Sequence, residues 1–104
     1  MTEYKMVSYW VSGMENDTPE EIYEDEGFTL IAGYYNHKHS YENEKSLGVH
    51  WYGTYPNSHG ILSPCVIPEK ARNAILTGLL QQAILDKDKE KIASLNKAIQ
   101  FFID

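Results

Sequence analysis

The apolar pattern of this chain changes period once, at Pro68. Before it, aromatic and β-branched residues come in short runs punctuated by glycine, proline and asparagine. After it, apolar residues recur every three or four positions. Strands first and helices last is the order of an α+β domain. The pattern therefore predicts a small antiparallel sheet of about four strands within residues 4–66, packed on a C-terminal antiparallel two-helix hairpin over 68–103.

Residues 4–12 carry apolar groups on both faces (Tyr4, Met6 and Trp10 against Val7, Tyr9 and Val11), as a central strand does. Residues 28–35 predict a second strand. Residues 46–55 predict a third, in which Leu47, Val49, Trp51 and Tyr55 alternate with Gly48, His50, Tyr52 and Thr54. A short fourth follows at 61–66, confined by Pro64 to an edge or a bulge. Between the first two, Asp17 or Thr18 as a cap, Pro19 in a first turn and Glu20 and Glu21 at a positive dipole end predict one or two helical turns to about Tyr23.

Pro68 is expected to open the first long helix, whose apolar face is Ala71, Ile75, Leu76, Leu79, Leu80, Ala83 and Ile84. Gly78 lies inside it at a cost of about 1 kcal/mol, which a close packing contact would explain. Residues 86–89 read as a charged turn. Ile92, Leu95, Ala98, Ile99 and Phe102 then form the stripe of a second helix.

A chain of 104 residues fits one domain, 1–104, with room for one modest core. It contains no apolar run near the ~20 residues needed to cross a bilayer, and no signal-peptide pattern. The single cysteine, Cys65, excludes an internal disulfide, and cytoplasmic residence is expected. Residues 1–66 carry ten acidic and three basic side chains, against five acidic and six basic in 67–104. Net charge is −6 and Arg72 is the single arginine, a poor composition for binding nucleic acid.

Four groups of residues carry candidate chemistry. His37 and His39, two apart, share a face of extended chain; with His50, His59 or Glu42 they would make a three-ligand metal site, against a reading as polar loop and strand residues. Glu20, Glu21, Glu24, Asp25 and Glu26 form a carboxylate run, read first as a solvated segment and otherwise as a patch facing a basic partner. Cys65 precedes the first helix and would serve as a nucleophile beside His50 or His59; a small buried apolar residue is the alternative.

The fourth group is aromatic. The chain has eight tyrosines and two tryptophans, many of them in the strand segments. Helices on one side cover one face of a sheet, so the other face is expected to present tyrosine, tryptophan and histidine for recognition, or else to finish the core. The expected binding surface comprises Tyr9, Trp10, Tyr35, His50, Tyr52, Tyr55, Glu20, Glu21 and Glu24.

No phosphate loop, dinucleotide fingerprint or nucleophile elbow occurs. The leading expectation is a small, acidic, non-enzymatic protein-binding or regulatory inhibitor protein without a cofactor, acting through that surface on a protein partner, with a homodimer formed on the open sheet face. The alternative is a small-molecule or metal-binding domain, or an enzyme, using the His37–His59 histidines with Tyr52 and the carboxylates. A nucleic-acid mimic is a third reading, for which the acidic stretch at 14–26 is too localised.

Overall fold

The structure is a computed structural model, described here for residues 5–6, 10–36, 44–51, 61–62 and 65–103. It is the expected α+β arrangement: a curled antiparallel sheet followed by two helices. The elements are β1 (Lys5–Met6), β2 (Trp10–Ser12), β3 (Glu20–Asp25), β4 (Phe28–Tyr35), β5 (Glu44–Trp51), β6 (Ile61–Leu62), β7 (Cys65–Val66), α1 (Glu69–Leu85) and α2 (Lys89–Ile103).

β4 is the centre of the main sheet. One of its sides pairs along its full length with β5, from Phe28 opposite Trp51 to Tyr35 opposite Glu44. Its other side is shared by two strands, β3 over the first half and β2 over the second. β7 closes the far edge against β5. Residues 4–12 and 61–66, each expected as one strand, contribute two short ladders apiece. β1 pairs in parallel with β6, while β2 and β7 join the main sheet.

The helical turns expected up to Tyr23 are replaced by β3. The decisive local signal is the two-residue turn that follows. Glu26 and Gly27 both have positive φ, 51° and 92°, and they join Asp25 to its partner Phe28. That is the geometry a tight hairpin requires, because it matches the right-handed twist of the strands it joins. The register shifts between Glu21 and Tyr23, leaving Ile22 as the extra residue of a bulge. Ile22 is buried and Tyr23 half-buried against the same core.

One face of the sheet meets the helices. Ile22, Leu30, Ala32 and Leu47 pack with Leu76 and Ala83 of α1 and Leu95 and Ala98 of α2. The α2 stripe read from the sequence is all in this core or against it. The α1 face is narrower than expected: Ala71 is exposed, and Ile84 is 55% exposed. Gly78 faces open space, so no close contact accounts for it.

The turns around the helices are specific. Pro68 stands at the N-cap of α1 rather than within its first turn, and its carbonyl accepts the Arg72 N–H at 2.9 Å. At the end of α1 the Asp88 N–H donates to the Ala83 carbonyl and the Lys87 N–H to the Ile84 carbonyl. Lys87 sits at φ 57°, which completes a left-handed cap. Asp88 then accepts the Lys91 N–H at 3.2 Å and caps α2. Among the described residues no helix is long and apolar enough to cross a membrane.

The opposite face of the sheet is also buried. Thr29 and Ile31 are 0% and 1% exposed, and Ser46, His50 and Trp10 are 4% each. This burial is complete within a single chain. At these five positions the sheet face on which a second copy was expected to dock is not open.

Candidate functional site

Three of the expected surface residues lie on one strand. Glu20, Glu21 and Glu24 belong to β3, whose pairing with β4 uses one side of its backbone. Among the described residues β3 pairs with no other strand. Its side chains sort by register. Glu20 stands opposite Ala32, on the helix face, while Glu21 and Glu24 stand opposite Ile31 and Thr29, on the other. With Asp25 and Glu26 they put five carboxylates into seven residues at the rim of the sheet.

Basic side chains of α2 answer part of this charge. Lys97 Nζ lies 3.6 Å from Glu20 and 3.1 Å from Glu15. Hydrogen bonding to Glu15, followed by the charges of Glu20 and Glu15, raises its amine above the usual lysine range. Lys91 Nζ sits 4.9 Å from the centre of the Tyr23 ring. No cation is ion-paired with Glu24, Asp25 or Glu26 among the described residues. Tyr23, Glu24, Glu90, Lys91 and Ser94 line a shallow open cleft of about 240 Å³ between β3 and α2.

Tyr23 was missed by sequence reasoning because that segment read as helix. The signal that could have found the strand is the acid–glycine pair Glu26-Gly27, a two-residue turn set between Ile22-Tyr23 and the apolar run that begins at Phe28.

The remaining expected surface residues are elsewhere. Trp10 is buried, its ring edge-on to Tyr35 at 5.2 Å. Tyr35 is half-buried at the far end of β4 from the acidic turn. His50 is buried opposite Thr29. Its imidazole titrates below its ordinary value because burial disfavours the cation, with the Glu21 charge acting in the opposite direction. Trp10 and His50 thus serve the interior rather than a contact surface: each is enclosed on the second sheet face. Tyr9, Tyr52 and Tyr55 lie outside the described residues.

The candidates for chemistry are dispersed. His37, His39, Glu42 and His59 lie outside the described residues. Among the described residues no group of three His, Cys, Asp or Glu side chains is placed to hold a metal ion. Cys65 is exposed rather than buried. Its register partner is Val49, so it leaves the sheet on the face opposite to His50 and the two do not form a nucleophile–base pair.

Comparison of the chain with protein-family models, with curated proteins and with solved structures gave no match.

Proposed function

We propose that the chain is a non-enzymatic protein-binding module of regulatory or inhibitory type, whose recognition element is the acidic outer edge of β3. One observation supports the reading: among the described residues β3 is laddered on one side only, and its rim holds Glu21, Glu24, Asp25 and Glu26. An unpaired strand edge offers a row of backbone donors and acceptors to an added strand. Clustered carboxylates at that edge repel a second copy of the same strand and attract a basic one. The occupant is an extended protein segment rich in lysine or arginine, whose cations meet Glu21, Glu24, Asp25 and Glu26, while the Tyr23 ring is already faced by Lys91.

The test is calorimetric titration with a synthetic peptide of alternating lysine and valine, and with its glutamate–valine counterpart. Binding of the basic peptide alone, weakened as salt rises and lost in a Glu24→Lys, Asp25→Lys double variant, is the expected result. Equal binding of both peptides, or none of either, overturns the reading.

A further inference from the structure

A second concave surface lies away from β3, between the N-terminal half of α1 and the C-terminal half of α2. It is a groove of about 370 Å³, within the size of small-ligand sites. Its floor is apolar: Leu76 from α1, with Ile99, Phe102 and Ile103 from α2. Ile103 is 71% exposed, an unusual state for an isoleucine beside a concave apolar surface.

Arg72 lines this groove. Its guanidinium carbon stands 4.1 Å from the centre of the Phe102 ring, so one face of the fork is covered by an aromatic plane. Nη1 donates to the Lys45 carbonyl at 3.2 Å. Nε is buried and has no hydrogen-bond partner. A guanidinium has five N–H donors and a permanent charge. Here no carboxylate is ion-paired with it among the described residues; Glu69 shares the groove without reaching ion-pair distance. The chain's single arginine is thus half-buried, fixed in place from two directions and without an ion-paired carboxylate among the described residues, in a protein whose net charge is −6.

We propose that this groove binds a small monocarboxylate with an apolar tail. The carboxylate pairs with the guanidinium, whose charge it neutralises, and the tail lies on Leu76, Ile99 and Ile103. Asn73, along the same flank of α1, adds a polar group to the groove; the Thr77 hydroxyl donates instead to the Asn73 carbonyl at 2.8 Å. A neutral amphiphile would gain the apolar contact and leave the charge unanswered. A cationic one would add repulsion. A dicarboxylate would set its second charge on the apolar floor or against Glu69.

The experiment is a titration of the intact chain, followed by the methyl resonances of Leu76, Ile99 and Ile103. The probes are decanoate, decanol and decyltrimethylammonium, each below its micelle concentration. Decanoate is expected to move these methyls saturably and to bind about ten-fold more tightly than decanol, the scale of one charge-assisted hydrogen bond. The ammonium is expected to bind more weakly than decanol. Arg72→Gln should erase the preference for decanoate and leave decanol binding in place. If Arg72→Gln does not fold, Glu69→Gln serves instead, with tighter decanoate binding and unchanged decanol binding expected. Equal affinity of decanoate and decanol for the folded wild-type chain overturns the proposal. So does failure of decanoate to move these methyls. If Arg72 serves only to hold α1 against β5, Arg72→Gln lowers stability and decanoate shows no advantage, which also overturns it.

Discussion

The backbone carbonyl of Ser12 occupies the space that a side chain on Gly33 would need. The Cα atoms of Gly13 and Pro19 lie next to it, each 3.3 Å from the same point. β2 and β3 meet the side of β4 on either side of this spot, and the chain between them folds back over it. The absent Cβ of Gly33 is what lets that excursion close.

Gly33→Ala is therefore expected to destabilise the fold by about 1–3 kcal/mol, since backbone cannot swing aside as the end of a side chain can. A lower urea midpoint with an unchanged slope is the expected reading. An unaltered midpoint would show that the segment over β4 gives way to the added methyl group.

Gly78→Ala is expected to act in the other direction. A Cβ there meets nothing within 4 Å, so the helix gains propensity without a clash. The gain should be about 1 kcal/mol, visible as a higher melting temperature. A loss of stability would place Gly78 against another surface in solution, a second copy included.

Lys87→Gly is expected to stabilise by about 0.5–1 kcal/mol, because Lys87 is held at φ 57° where a side chain is disfavoured. Glu26 at φ 51° is the analogous position of the β3–β4 hairpin, and Glu26→Asn should help for the same reason. Urea unfolding of the two single variants and the double variant checks both. The sites share no partner, and their effects should add.

His50 predicts the direction of one pH dependence. Its folded pKa is depressed below 6.5 by burial, so the unfolded chain takes up a proton first as pH falls. The stability tied to a neutral His50 is complete above the unfolded value and is lost as pH drops from there through the folded value. Urea midpoints measured at about pH 8 and about pH 5 should therefore converge in His50→Gln relative to wild type. The same pH response in both proteins would remove His50 as a source of it.

Much of the architecture is legible in the amino-acid order. Residues 28–35 are an apolar and aromatic run bounded by Gly27 and Asn36, so β4 is read with its observed bounds, and the α2 stripe from Ile92 to Phe102 maps onto the core. Reading fails where local preference and tertiary pairing conflict. Asp17, Thr18, Pro19 and two glutamates are the ingredients of a helix start. A turn requiring two positive φ values and a bulge at Ile22 recruit the segment to β4 instead. Gly78 misleads differently, since a glycine in a helix implies a reason that the packing here does not supply. The expected aromatic surface assumed that the helices were the only cover for the sheet. Burial of Thr29, Ile31, His50 and Trp10 on the other face shows that they are not. The glutamates of the candidate site were legible as a run of charge; their place on a rim that no other described strand pairs depends on long-range strand order, which no local pattern encodes.

Ser12 stands opposite Tyr34 and Glu20 opposite Ala32, so the rim of the sheet advances eight positions while β4 advances two. The surplus is an insertion in an otherwise continuous strand. Its length can change without re-registering a single pair of β4, at a loop-closure cost of only about 0.6 kcal/mol per doubling. This fold therefore has a socket for foreign sequence beside its acidic rim. Grafted peptides placed there would be displayed on a supporting sheet.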